Sequence, residues 1–298
     1  MQPDQHPSSL AERLRVSRRD RRTERIRHDK GLEERSVAPA PSDSISGAFF
    51  EETGSLFAFL GHFLARFWRR PFEARELANQ MDEVGSKSLI LTSVVGLSIG
   101  IVLAMQSRGT LARFGAESML PSMLALSVIK EIGPVLTSIV LAGRLGAGFA
   151  SELGSMKTTE QIDALEVAAL KPFHYLVVTR VLACILMFPV MTAITDLLAL
   201  SGGYMESALS ENVDYRVFMD TALSSLRFAD IVIDTLKTSV FGMIVGIVSC
   251  WLGYNVRGGT REVGQAAMRA VVLSSLLILV ADVVIVRVSI MLFGDISG

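Results

Sequence analysis

Residues 86–107 read SKSLILTSVVGLSIGIVLAMQS. After Lys87 no charged side chain occurs until Arg108. A helix rises ~1.5 Å per residue, so this run covers ~33 Å, enough to cross a hydrocarbon core of ~30 Å. Four further apolar segments follow, at about 120–148, 173–204, 228–255 and 266–293. Lipid offers no partner to backbone N–H and C=O groups, and a helix satisfies its own. The expected fold is therefore an all-α membrane protein with five transmembrane helices. Gly96-x-x-x-Gly100 and Gly242-x-x-x-Gly246 fall inside spans, where missing side chains let helices approach closely.

Composition agrees with a lipid environment. Half of the 298 residues are hydrophobic, and the mean hydropathy is +0.43, above the usual range of soluble domains. Charge is zoned: residues 1–40 hold 10 of the 29 Lys and Arg and 7 of the 30 Asp and Glu. The net charge of −1 gives nucleic-acid binding no support. Cys184 and Cys250 lie in apolar runs and read as small hydrophobes rather than a disulfide or metal pair. The polar, Arg-rich start lacks the apolar core of a cleavable signal peptide. With no Gly-Lys dipeptide there is no phosphate-cradling P-loop. Three of the four histidines precede the first span, and no metal cluster or nucleophile constellation stands out. These features argue against an enzyme and against a cofactor bound by this chain.

Residues 1–46 are polar, with Pro39, Pro41, Ser42 and Ser44 late in the run. They read as a disordered cytoplasmic arm, too poor in apolar side chains to offset ordering. The membrane domain then occupies 47–298. Its first element is 55–70, SLFAFLGHFLARFWRR, with apolar residues at helical spacing and Arg66, Arg69 and Arg70 at its end. At ~22 Å its apolar part is too short to span, so an amphipathic helix lying in the interface is expected. Basic residues near span ends set orientation. Arg66, Arg69, Arg70, Arg75 and Lys87 precede the first span; Lys157 and Lys171 follow the second; Arg257 and Arg261 follow the fourth. The 205–227 loop is mainly acidic. The N-terminus is thus expected in the cytoplasm and the C-terminus in the periplasm, for a multi-pass protein of a bacterial inner membrane.

The most unusual stretch is 130–165, KEIGPVLTSIVLAGRLGAGFASELGSMKTTEQIDAL. Lys130 and Glu131 sit inside the second span, where ionisable groups are costly and usually functional. Gly133-Pro134 follows, and a proline inside a helix frees a backbone carbonyl and invites a bend. Arg144, near the inner end, could snorkel to headgroups. Thr158-Thr159-Glu160-Gln161 has the form of a capping box, so a helix is expected over about 158–168. Glu160, Asp163 and Glu166 would share one face of it, as a docking element for a soluble partner. Arg269, near the inner start of the fifth span, could line a substrate path with Lys130, Glu131 and Pro134, or could instead pair with Glu131.

The pattern resembles the MlaE-type (YrbE-like) permeases of ABC transporters that move phospholipids between bacterial membranes. It comprises Glu131-x-Gly133-Pro134-x-Leu136, Ala142-Gly143-Arg144-x-Gly146, Glu152-x-Gly154-x-Met156, Glu160-Gln161-x-x-Ala164-Leu165, then Tyr175-Leu176 and Arg180. Lys130 departs from the arginine usual before the glutamate, and Thr179 stands where a proline often precedes the arginine. The first 45 residues have no counterpart in the family. The resemblance implies a homodimer of two copies of this chain, a cytoplasmic ATPase subunit that binds the ATP and docks on the Glu160–Leu165 helix, and a periplasmic MCE-domain lipid-binding protein. Two other classes compete. A secondary transporter of a small hydrophobic solute needs internal repeats with matched broken helices, whereas Gly133-Pro134 is a single such signal. A membrane-embedded enzyme needs clustered charges on facing spans, for which Glu131, Arg269 and Asp282 are the candidates.

Overall fold

A computed structural model describes residues 45–67, 74–168 and 172–293. The polar arm expected over 1–46 lies outside them except for its last two positions. All regular structure among the described residues is helical. Five helical runs are long and apolar enough to cross a membrane: Ala74–Arg113, Glu117–Thr158, Phe173–Ser210, Ile231–Tyr254 and Thr260–Met291. Each contains or closely matches an expected span.

The first helix, α1, covers Ile45–Phe67, starting ten residues before the expected 55–70. From Leu56 onward the chain forms one compact unit, and residues up to Ser55 belong to another. Within the larger unit α1 is two-faced. Phe59 and Phe63 are buried with Leu153, Ile162, Leu176 and Trp251, whereas Phe57 and Leu64 are exposed. The Phe59 ring meets Phe173 edge-on at 5.1 Å.

A second short helix, α2 (Ala74–Val84), was not expected. Its apolar residues Leu77, Met81 and Val84 are only three among eleven, too few to form a run, but they recur at i, i+4 and i+7 and so share a face. Gly85, still in helical backbone, joins α2 to α3 (Ser86–Arg113); a Cβ there would lie 2.4 Å from Met187 Cε.

The second span, α4, runs from a 3-10 turn at Glu117–Met119 to Thr158 and changes winding twice. π-helical turns at Val128–Ile132 and Ala142–Gly146 interrupt its α-helical parts. After the short α5 (Gln161–Val167), a π turn at Phe173–Val178 leads into α6 (Thr179–Glu211), which carries Pro189 in its interior. The 205–227 region is therefore not a loop. α6 continues through it to Glu211, Asn212 caps it in the left-handed conformation at φ 53°, and α7 (Tyr215–Ser224) follows. Asp214 starts α7 by accepting a hydrogen bond from the Arg216 amide at 3.2 Å, while Phe218 and Ala222 turn inward. α8 (Phe228–Tyr254) and α9 (Thr260–Phe293) complete the chain.

α6 is central, and glycines bring its neighbours close. A Cβ at Gly100 would sit 1.8 Å from the Ala199 carbonyl oxygen and one at Gly96 2.6 Å from that of Thr195, so α3 packs backbone to backbone on α6. Gly242 does the same for α8, 2.5 Å from the Cys184 oxygen. Both expected small-residue motifs thus serve contacts within one chain. Cys184 and Cys250 are free and buried in the apolar core. Buried hydroxyls bond back along their own helices, as Thr192 does to Phe188 at 2.9 Å and Ser249 to Val245 at 2.6 Å.

Candidate functional site

Pro134 has no N–H, so the carbonyl of Lys130, four residues earlier, loses its helical donor. A side chain from another span takes the vacancy. Lys237 of α8 donates its ammonium to the Lys130 oxygen at 2.6 Å. The same Nζ lies 3.3 Å from Glu131 Oε2, 3.2 Å from Asp282 Oδ1 on α9 and 4.0 Å from Asp234 on its own helix. The Lys237 side chain is 2% exposed. A buried cation is tolerable only when paired and hydrogen-bonded, and here three carboxylates and a freed carbonyl surround it. The π turn Val128–Ile132 is the part of α4 that presents both Lys130 and Glu131 to this lysine.

Gly133 lies against α6. A Cβ on it would stand 1.8 Å from Asp196 Oδ1, so α4 and α6 approach this closely only without a side chain there. Asp196 is 6% exposed, and its Oδ1 accepts no hydrogen bond among the described residues. The cluster is not sealed: the Glu131 side chain is 47% exposed, against 15% for Asp282 and 19% for Asp234. The arrangement thus offers one open carboxylate, held by a buried ammonium, at mid-helix depth. It can attract or gate a polar or charged group passing the bundle; among the described residues no group of three or more His, Cys, Asp or Glu is placed to hold a metal ion.

The Glu131–Arg269 pair, the alternative to a shared substrate path, is not formed among the described residues. Arg269 lies on the exposed face of α9, and the partner of Glu131 is Lys237. Lys237, Asp234 and Asp196 were missed because the spans at 228–255 and 173–204 were read by their average hydropathy. The legible signal was a lysine three residues after an aspartate inside an apolar run.

At the α5 end of the bundle, two motif arginines tie elements together. Arg180, 3% exposed, pairs with Glu152 at 2.8 Å, donates to the Leu176 carbonyl at 2.8 Å and lies over the Phe149 ring at 5.7 Å. Arg144 has protein partners of its own. Its guanidinium donates to the Glu83 carbonyl at 3.0 Å, to the Ser88 hydroxyl at 2.6 Å and to the Glu83 carboxylate at 3.0 Å. One side chain thus bonds a C-terminal carbonyl of α2 and grips the start of α3 across Gly85. A Cβ at Gly146 would lie 3.6 Å from the Ser249 hydroxyl and the Val271 amide nitrogen, and one at Gly154 closer still, 3.1 Å from Val256 and 3.3 Å from Val263; one at Gly143 would meet open space.

The capping box at Thr158–Gln161 does not form. Thr158 is the last residue of α4, and the hydroxyls of Thr158 and Thr159 both bond backward to the Ser155 carbonyl. Glu160 takes a left-handed turn at φ 58°, and its carbonyl accepts from the Ala164 amide at 3.0 Å. α5 therefore begins at Gln161, and Glu160 stands ahead of the helix rather than on its face. Ile162 is fully buried beneath it, while Glu160, Gln161 and Asp163 are exposed. Asp163 pairs with Lys157 at 2.9 Å. The Glu166 side chain lies outside the described residues.

Residues 77–288 match the model of a family described as Permease MlaE. Among similar proteins, a "Probable ABC transporter permease protein" of Rickettsia typhi is 35% identical over 231 residues, covering 78% of this chain and 88% of that one. A protein of the same description from Synechocystis is 32% identical over 234 residues, covering 78% and 89%. The chloroplastic protein TRIGALACTOSYLDIACYLGLYCEROL 1 of Arabidopsis thaliana is 33% identical over 225 residues, covering 76% of this chain and 64% of that one.

Proposed function

Starting from a chain that belongs to the MlaE permease family of ABC transporters, we propose that it is the membrane subunit of an ATP-driven phospholipid transporter in a bacterial inner membrane. The observation that carries this reading is the Lys237 cluster. A family relationship names a permease; a half-exposed Glu131 anchored by a buried lysine, beside a break in the second span, supplies a polar station on a path through lipid. Intramembrane charge of this kind is retained where a polar group must pass. The name of the Arabidopsis relative refers to a glycerolipid, which supports lipid as cargo. Lys130, Glu131 and the Pro134 break form the headgroup station in this reading, while apolar faces of neighbouring spans receive the acyl chains.

The energy comes from a separate cytoplasmic ATPase, which binds the ATP. Its docking element is the Glu160 turn with α5, held rigid from below by Ile162 and at its side by the Lys157–Asp163 pair. The assembly contains two copies of this chain and, on the periplasmic side, an MCE-domain lipid-binding protein. Basic residues near the α5 end support a cytoplasmic placement of that end and of the N-terminus. The test is ATP-dependent lipid transfer by the reconstituted complex: Glu131→Gln should slow transfer about tenfold with the ATPase still bound. Unchanged transfer by that variant removes the headgroup station.

A further inference from the structure

The Lys237 cluster is short of hydrogen-bond donors. One ammonium carries three N–H bonds, yet four acceptor groups stand around Lys237 Nζ: the Lys130 carbonyl and the carboxylates of Glu131, Asp282 and Asp234. The ammonium does not serve them all. Asp282 Oδ1, 3.2 Å from the nitrogen, receives no hydrogen bond among the described residues. Asp196 adds another acceptor. It is 6% exposed, its Oδ1 is likewise without a donor among the described residues, and it lies within electrostatic reach of Asp234 and Lys237. Lys130, partly buried on the π turn, has an interaction of its own.

Buried acceptors without donors are costly, and the cluster opens at Glu131, whose side chain is 47% exposed. A ligand that suits this opening brings N–H bonds and positive charge. A phosphate brings neither. It would meet the Glu131 carboxylate, a like charge, and Lys237, the cation that could hold it, is 2% exposed and already engaged. A metal ion fits no better, since no metal-binding group occurs among the described residues. An alkylammonium fits, as a compact cation with three N–H donors. We propose that the station selects the ammonium of a primary-amine headgroup, as in phosphatidylethanolamine, over anionic headgroups, with Glu131 as first contact and Asp196 as inner acceptor. The assignment rests on the lipid-permease reading and adds to it the charge of the cargo.

The test uses the full chain assembled with its ATPase and MCE-domain partner. Donor vesicles hold equal amounts of phosphatidylethanolamine, phosphatidylcholine and phosphatidylglycerol, and lipid reaching acceptor vesicles on ATP hydrolysis is identified by mass spectrometry. Phosphatidylethanolamine should move about tenfold faster than phosphatidylglycerol, the scale of one charge-assisted hydrogen bond. Phosphatidylcholine, cationic but without N–H bonds, should fall between them. Equal rates for the ethanolamine and glycerol headgroups overturn the proposal, as does choline moving as fast as ethanolamine. Asp196→Asn replaces an acceptor oxygen by an N–H donor. It should narrow the preference about threefold with the ATPase still bound and the thermal midpoint unchanged; an unaltered preference overturns the role of Asp196. Excess soluble ethanolamine should leave the preference intact. If it abolishes phosphatidylethanolamine transfer, the free amine is the ligand and the headgroup assignment fails. No transfer of any lipid defeats the permease reading itself, whereas transfer without headgroup preference defeats the amine assignment alone.

Discussion

Lys237 meets three carboxylates and a backbone carbonyl, and it was hidden in the sequence. Nothing about a lysine in an apolar run says which carbonyl it will meet. Pro134 gave half of that answer, because it marks the Lys130 carbonyl as one that must find a donor elsewhere. The partner depended on how α8 and α4 pack, a long-range fact that spacing along one helix does not carry. Removing the lysine charge leaves Glu131, Asp234 and Asp282 facing one another without a cation. Lys237→Met should therefore destabilise the fold by about 3–5 kcal/mol, the usual penalty for breaking a buried pair from one side. Thermal unfolding of the detergent-solubilised protein measures this, and adding Glu131→Gln should recover part of the loss. An unshifted midpoint for Lys237→Met would mean the cluster is not held by this charge. At Gly133 a methyl group has no room beside Asp196. Gly133→Ala should lower the same midpoint by several degrees, and Asp196→Ala should offset it by clearing the space.

Among the elements, the five spans were legible because each carries a long run with few charges. α2 and α7 were not, since eleven and ten residues with charges interspersed leave no run to notice. In α2 the apolar face recurs at i, i+4 and i+7, and in α7 the buried pair Phe218 and Ala222 stands at i, i+4, weak signals at that length. The misplaced start of α5 has a different cause. Thr158-x-x-Gln161 fits a capping box, but the threonine hydroxyls found a nearer acceptor in the Ser155 carbonyl at the end of α4. The consequence for docking is local: Glu160 projects from a turn and not from a helix face. Glu160→Lys should release the ATPase while leaving the permease inserted, read as loss of ATPase from the affinity-purified complex. Full ATPase stoichiometry in that variant would remove the turn from the docking surface. For α1, the open surroundings of Gly61 suit a cysteine label. Gly61→Cys should react with a membrane-impermeant thiol reagent from the cytoplasmic side only, whereas labelling from the periplasm would reverse the orientation.

At the scale of the whole molecule, the family pattern over 130–180 falls into two layers. At the α5 end, Arg144 and Arg180 bind α2, α3, α4 and α6 together through Glu83, Ser88 and Glu152. Deeper in the bundle, the Pro134 break and Gly133 hold an open carboxylate beside a buried lysine. One continuous helix, α4, carries a contributor to both layers and ends at the Glu160 turn. Movement imposed at that turn by a nucleotide-driven partner would thus reach the charged station along a single element, across two π turns that can change register. The most direct measurement of this account is transfer of a fluorescent phospholipid between two vesicle populations, one carrying the permease assembled with its ATPase and MCE-domain partner. The account predicts transfer that requires ATP hydrolysis and slows about tenfold in Glu131→Gln while the ATPase remains bound. Transfer at the same rate without ATP, or ATP hydrolysis with no lipid moved by the intact complex, would contradict it.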